Sequence, residues 1–98
     1  HPDYALSKRQ TAGFGAMISF KTDTHRRAID ALERTRLILF AESLGGTESL
    51  ITYPLVQTHG AIPAPMLDKL GIDDRLLRLS VGIEDVEDLL ADLDQALA

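Results

Sequence analysis

Four short apolar runs of strand length constrain the fold of this 98-residue chain more than any other feature of its sequence. The first alternates large apolar with small or polar residues, which is the period of a half-buried strand. The others are a continuous apolar run, a segment rich in strand-favouring residues that Pro54 stops, and an apolar run interrupted by Arg78. The predicted strands are residues 13–21, 37–40, 50–53 and 76–81.

Helical segments separate these strands. Residues 3–10 contain no β-branched residue and are typical of the last turns of a helix. Polar side chains at positions 22–24 can cap a helix over residues 25–34. The apolar stripe of that helix consists of Ala28, Ile29 and Leu32.

Two further helices are predicted in the second half of the chain. A short one begins near Pro63 and Pro65, runs through Leu70 and ends at Gly71. The final helix has acidic residues in its first turn, where the helix dipole favours them. Four strands among helices, without strict strand–helix–strand alternation, predict an α+β domain with a mostly antiparallel sheet and helices on one face. The predicted apolar face of the final helix consists of Val86, Leu89, Leu90, Leu93 and Leu97.

The composition excludes several classes of protein. Residues 1–36 hold seven basic and four acidic side chains, whereas residues 37–98 hold three and eleven, which is unlike the basic face of a nucleic-acid-binding protein. No apolar run approaches the roughly 18 residues that span a membrane. The absence of cysteine excludes disulfides and thiolate nucleophiles and agrees with a cytoplasmic location. Because the chain begins without Met or a signal-peptide pattern, we expect it to be processed or excised.

The strongest candidate site combines a glycine-containing loop with an arginine in a strand. Gly45 and Gly46 let a ligand approach the backbone closely, and Ser43 adds a hydroxyl group. Arg78 needs a partner, because an unpaired buried charge is costly. That partner is either an anionic ligand, which a guanidinium grips with two hydrogen bonds, or a carboxylate of the chain itself. The salt-bridge alternatives are Glu84, Glu42 and an aspartate.

Other candidates for chemistry do not form recognisable motifs. The glycines at 13 and 15 open a strand and lack the third glycine of a dinucleotide-binding loop, so they indicate close backbone packing. His25 and His59 lack the spacing of metal ligands, and no serine lies in a nucleophile-elbow motif. We therefore predict no catalytic residue and no metal ligand within this chain.

Three motifs, in this order along the chain, resemble those of a known enzyme family. Together they closely resemble the C-terminal domain of the pyridoxal-phosphate (PLP) enzymes of cysteine and methionine metabolism, which include cystathionine γ-synthase and the cystathionine lyases. The resemblance covers nearly the whole chain. The motifs are SLGGTESLI at 43–51, QTHGAIP at 57–63 and LRLSVGIEDVEDL at 77–89, preceded by KRQ at 8–10 and GFG at 13–15.

The resemblance implies that residues 1–98 are the small C-terminal, substrate-carboxylate-binding domain of an aspartate-aminotransferase-like subunit, the fold type I of PLP enzymes. The large PLP-binding domain would precede residue 1 and supply the lysine that bonds to the cofactor. Lys8, Lys21 and Lys69 match no such motif, so we expect no cofactor-binding residue here. The intact enzyme would be a cytoplasmic homo-oligomer, a tetramer in most members, with an amino-acid substrate and no nucleic-acid or membrane partner.

The resemblance also implies roles for individual residues. Arg78 would grip the substrate α-carboxylate with help from Ser43, and Leu44, which follows Ser43 in the same motif, would be a further substrate-binding residue. Thr58 matches a threonine near the active-site pocket. Glu42 matches a position that influences the distal part of the substrate.

The implied activity is trans-sulfuration of the cystathionine γ-synthase or γ-lyase type, by elimination or replacement at Cγ or Cβ of sulfur amino acids or O-substituted homoserine. Cystathionine β-lyase and methionine γ-lyase remain alternatives within the family. A stand-alone, non-catalytic binding domain is the alternative outside it. In every case we expect the isolated chain to be inactive.

Overall fold

The computed structural model describes residues 1–56 and 62–98, and within them the chain forms one four-stranded sheet. The strands are β1 (Met17–Lys21), β2 (Leu39–Phe40), β3 (Leu50–Thr52) and β4 (Leu76–Ser80). Their order across the sheet is β1, β4, β3, β2. Strand β4 is antiparallel to both β1 and β3, and β2 is parallel to β3. The predicted α+β class and mostly antiparallel sheet are confirmed, and Arg78 lies on a central strand.

The described residues also form four helices, α1 (Tyr4–Gln10), α2 (His25–Arg34), α3 (Ala64–Leu70) and α4 (Val86–Leu97). The predicted bounds of α2 are confirmed, because Thr24 Oγ1 caps it by accepting the backbone N–H of Arg27 at 3.1 Å. Helix α3 ends as predicted at Gly71, whose φ of 73° is left-handed. No helix among the described residues is both long enough and apolar enough to cross a membrane.

One buried cluster joins a face of the sheet to α2 and α4. Because side chains alternate along a strand, Leu77 and Leu79 of β4 face this cluster and Arg78 points to the opposite face. Arg78 therefore lies on the side of the sheet away from α2 and α4. The cluster consists of Ala28, Ala31, Ile38, Ile51, Tyr53, Leu77, Leu79 and Leu89.

Two strands are shorter and more exposed than predicted. The strand predicted over 13–21 begins only at Met17, and Phe20 is its one partly buried residue. The strand predicted over 37–40 is reduced to Leu39 and Phe40, which are 49% and 52% exposed. Both lie at the edges of the sheet, where one side of the strand has no neighbour to cover it. The loop with Ser43 therefore follows an exposed edge strand.

The buried face of α4 also differs from the prediction. Leu89 is buried, but Val86 and Leu90 are 62% and 54% exposed. Asp92, which is not part of the predicted apolar face, is only 6% exposed. The helix is rotated so that Asp92 points inward. The residues of α4 alone do not explain this rotation.

The reason lies in the turn before β2. The Asp92 carboxylate accepts the backbone N–H groups of Arg36, Leu37 and Ile38 at 2.8, 2.9 and 2.9 Å. Gln95 Nε2 donates to it at 3.0 Å. Burial raises the pKa of Asp92, but the hydrogen bonds together lower it by more than burial raises it. The pKa therefore lies below its ordinary value of 3.8. A buried carboxylate is stable here because backbone donors surround it.

Candidate functional site

The β2–β3 loop (residues 41–49) is held against the sheet by side chains of β3 and β4. Thr52 Oγ1 donates to the carbonyl oxygen of Ala41 at 2.6 Å. Ser80 Oγ accepts the backbone N–H of Gly45 at 2.9 Å. Gly45 has a φ of 75°, a conformation that glycine adopts without strain. The first half of the loop is thus anchored by two hydroxyl groups that flank Arg78 on the same face of the sheet.

Arg78 is the third anchor of this loop. Its Nη2 donates to the carbonyl oxygen of Glu42 at 3.0 Å and to Thr52 Oγ1 at 3.4 Å. Thr52 and Arg78 are register partners across the β3–β4 ladder, which explains their proximity. The guanidinium is therefore hydrogen-bonded to the residue that immediately precedes Ser43.

No carboxylate of the described residues forms an ion pair with Arg78. Glu42 contributes its backbone carbonyl oxygen rather than its carboxylate. Nε of Arg78 is buried and has no hydrogen-bond partner among the residues that the structure describes. The salt-bridge alternative is therefore wrong within residues 1–56 and 62–98. A buried, unsatisfied N–H on a cationic group instead indicates an acceptor supplied from elsewhere.

The remaining predicted site residues are Ser43, Leu44 and Thr58. Ser43 and Leu44 are exposed, and neither makes a hydrogen bond to Arg78 within the described part of the chain. Ser43 lines a shallow cleft of about 370 Å³ together with Ala41, Gly46 and Leu50. Thr58 lies outside the described residues. The structure thus brings Arg78 to the base of the β2–β3 loop and leaves the Ser43 hydroxyl available at its surface.

Glu84 and Ser49 form a contact that the sequence did not reveal. Glu84 Oε2 accepts the backbone N–H of Ser49 and Oε1 accepts its hydroxyl, both at 2.8 Å. The backbone hydrogen bond from Ser49, and then the hydroxyl bond, lower the pKa of Glu84 below its ordinary value. This carboxylate was a predicted partner of Arg78, but its oxygens are engaged by Ser49. Ser49 belongs to the first sequence motif and Glu84 to the third. Their membership in these motifs was the only sequence signal that the two residues matter to the site.

The three lysines lie apart from Arg78 and the β2–β3 loop. Lys21 Nζ pairs with Asp73 at 2.8 Å, Lys8 Nζ lies 5.9 Å from the centre of the Tyr4 ring, and Lys69 lies in the last turn of α3. No described contact joins them to the candidate site. PLP requires a lysine at its reactive carbon, so the residues of this chain do not by themselves fit that cofactor. The arginine and loop fit a carboxylate-bearing ligand.

The geometry and a solved structure define the class to which the chain belongs. A cystathionine γ-synthase from Xanthomonas oryzae pv. oryzae, in complex with cystathionine, matches with a TM-score of 0.92 and 48% identity. The match covers 99% of this chain and 25% of that one. The chain therefore has the fold of a segment of fold type I PLP enzymes.

The family follows from the sequence. The family model described as "Cys/Met metabolism PLP-dependent enzyme" matches residues 1–98, and the chain belongs to this family. A cystathionine γ-lyase from Dictyostelium discoideum is 52% identical over 99% of this chain, and a cystathionine β-lyase from Lactococcus lactis is 46% identical over 99%. The chain spans about a quarter of the length of these relatives, 25% and 26%.

Proposed function

We propose that this chain is the substrate-carboxylate-binding domain of a PLP-dependent trans-sulfuration enzyme of the cystathionine γ-synthase or γ-lyase type. The observation that carries the proposal is the state of Arg78. It is a guanidinium on a central strand, without an ion-pair partner among the described residues and with a buried, unsatisfied Nε. The relatives named above act in this chemistry, which makes an amino acid the natural source of the missing carboxylate.

The carboxylate assignment follows from the donors that remain. Both described hydrogen bonds of Arg78 come from Nη2, and Nε, whose N–H lies parallel to one N–H of Nη2, has no partner among the described residues. Two parallel N–H donors of one guanidinium match the two oxygens of a carboxylate. Leaving a buried donor unsatisfied costs about 1–3 kcal/mol, which ligand binding would recover. The bond to Thr52, at 3.4 Å, is the weaker of the two and the one that would yield when a ligand enters.

This domain would contribute orientation rather than bond making. PLP, bound by the rest of the subunit, supplies the electron sink for bond changes at Cα, Cβ or Cγ. Arg78 would fix the α-carboxylate, and the Ser43 hydroxyl would donate to it from the loop surface. Fixing that group sets the orientation of the neighbouring Cα–H bond, and orientation of this kind accounts for a large share of enzymatic rate enhancement. Glu42, Leu44 and Thr58 would contact the remainder of the substrate.

The intact protein would contain a larger PLP-binding domain before residue 1 and would form a cytoplasmic homotetramer. The relatives support the first point, since the matched segment is a quarter of their length. Their names include γ-lyase, β-lyase and γ-synthase, so the substrate within the family is proposed only at the level of cystathionine or O-substituted homoserine. Product analysis with cystathionine, O-succinylhomoserine and methionine would separate these branches.

The test of this function is substitution of Arg78 in the intact subunit. Arg78→Ala should lower kcat/KM for amino-acid substrates by roughly 100-fold or more, because a charge-assisted, bidentate interaction is lost. Arg78→Lys keeps the charge but not the paired donors and should recover only part of the loss. Arg26→Ala is the matched control, since the Arg26 side chain is 85% exposed. Equal kcat/KM for Arg78→Ala and Arg26→Ala would overturn the proposed function.

A further inference from the structure

We propose that Glu84 is a positioning residue for the β2–β3 loop, and that it sets the place of Ser43 through its two hydrogen bonds to Ser49. The inference rests on the proposed function, because Ser43 must assist Arg78 in holding a substrate carboxylate. It assigns Glu84 a role that does not involve touching the substrate. Three features of the structure support it.

The first feature is the saturation of the Ser49 side chain. Ser49 is 1% exposed. Its hydroxyl donates to Glu84 Oε1 and accepts the backbone N–H of Gly82, both at 2.8 Å. Its backbone N–H donates to Glu84 Oε2, also at 2.8 Å. The hydroxyl and the backbone N–H of Ser49 are thus bonded to the segment that follows β4, and its carbonyl oxygen accepts the backbone N–H of Leu39 at 3.1 Å.

The second feature is the continuation of these contacts along the loop. The carbonyl oxygen of Thr47 accepts the backbone N–H of Ile83 at 3.0 Å, and Gly45 donates to Ser80 Oγ at 2.9 Å. Gly45, Thr47 and Ser49 are therefore joined in turn to Ser80, Ile83 and Glu84. A shift at the Ser49 end would be passed along these bonds towards Ser43.

The third feature is the exposure of the intervening loop. Residues 42–48 are exposed, so apolar packing does little to fix their conformation. Hydrogen bonds to the segment after β4 must then determine it. The Glu84 bonds are charge-assisted, because the carboxylate is ionised at neutral pH, and hydrogen bonds from Ser49 hold its pKa below its ordinary value.

The test measures recognition of the carboxylate separately from the rest of the ligand. L-Norleucine and pentylamine differ only in the α-carboxylate, so the ratio of their dissociation constants reports its recognition. Calorimetric titration of the intact, PLP-loaded subunit gives both constants without turnover. Glu84→Ala should reduce the preference for norleucine by about tenfold, and Glu84→Gln, which keeps one acceptor oxygen, by about threefold. Glu87→Ala is the matched control, an exposed glutamate in the first turn of α4.

The outcomes separate the two proposals. If Arg78→Ala leaves the ratio unchanged, the proposed function fails. If Arg78→Ala abolishes the preference while Glu84→Ala behaves like Glu87→Ala, the proposed function stands and the role of Glu84 is overturned. If Glu84 acts on stability alone, Glu84→Ala would weaken the binding of both ligands equally and leave the ratio of their dissociation constants unchanged. That result would also overturn the inference. Should Glu84→Ala fail to fold, Glu84→Gln decides, and a ratio equal to that of the unsubstituted protein contradicts the proposal.

Discussion

Asp92 of α4 accepts the backbone N–H of Ile38 at 2.9 Å, across 54 positions of the sequence. The same carboxylate accepts the N–H groups of Arg36 and Leu37. This contact fixes the turn that leads into β2, and β2 leads directly into the loop that carries Ser43. A buried acidic residue of α4 therefore anchors the turn before the strand that precedes that loop.

Removal of the Asp92 carboxylate should destabilise the chain. Asp92→Ala leaves three backbone donors of the turn without their acceptor, and we expect a loss of roughly 2–4 kcal/mol in the free energy of unfolding. Urea-induced unfolding of the variant measures this loss. Asp94→Asn is the control, because Asp94 is exposed on the same helix, and it should change stability by less than about 0.5 kcal/mol. Equal losses for the two variants would contradict the structural role of Asp92.

The stability due to Asp92 should also depend on pH. Its folded-state pKa lies below the ordinary value of 3.8, so its contribution is complete above that value and is lost as the pH falls through the folded-state pKa. The difference in unfolding free energy between the unsubstituted chain and Asp92→Asn should therefore be constant near neutral pH and shrink below about pH 4. Urea titrations at several pH values test this. A difference that grows in acid would show that the pKa is raised instead.

Gly82 should not tolerate a side chain. A Cβ at this position would overlap the carbonyl oxygen of Thr47 and lie 2.7 Å from Glu84 Oε1. Gly82→Ala should cost about 1–3 kcal/mol, because the β2–β3 loop must move away from the segment after β4. Gly13→Ala provides the comparison, since a Cβ on Gly13 meets no atom within 4 Å. We expect Gly82→Ala alone to lower the thermal midpoint, and similar midpoints would refute the close approach.

The elements with local signals were predicted well from the sequence. Thr24 marks the start of α2 by its capping side chain, and Gly71 ends α3 in a left-handed conformation. Both signals act within a few residues of the boundary that they set. The four strands were likewise found, although the two edge strands are shorter because pairing with a neighbour, rather than apolar content, defines their length.

The misplaced features depend on partners distant in sequence. The spacing of α4 placed Val86 and Leu90 inside, but the three backbone donors that draw Asp92 inward lie more than 50 positions away. Glu84 was a candidate partner of Arg78 because opposite charges attract. The structure engages it with the backbone N–H and the hydroxyl of Ser49 instead, a pairing that the sequence signals only through the membership of both residues in the matched motifs.

The sequence did not predict how the residues of the candidate site are arranged. The sequence paired Arg78 with the Ser43 loop, and the structure joins the arginine to this loop through the Glu42 carbonyl oxygen. The roles of Ser43, Leu44, Glu42 and Thr58 toward a substrate stay predictions. Their test requires a bound ligand.

The most direct test of the central claim is a crystal structure of the intact, PLP-loaded subunit with L-norleucine. We predict that the α-carboxylate accepts two N–H donors of Arg78 at about 2.7–2.9 Å, the usual range for such bonds. The bond from Arg78 to the Glu42 carbonyl oxygen should persist, and the longer contact with Thr52 should open. A carboxylate bound to other residues, with no oxygen within hydrogen-bond distance of Arg78, would contradict the account.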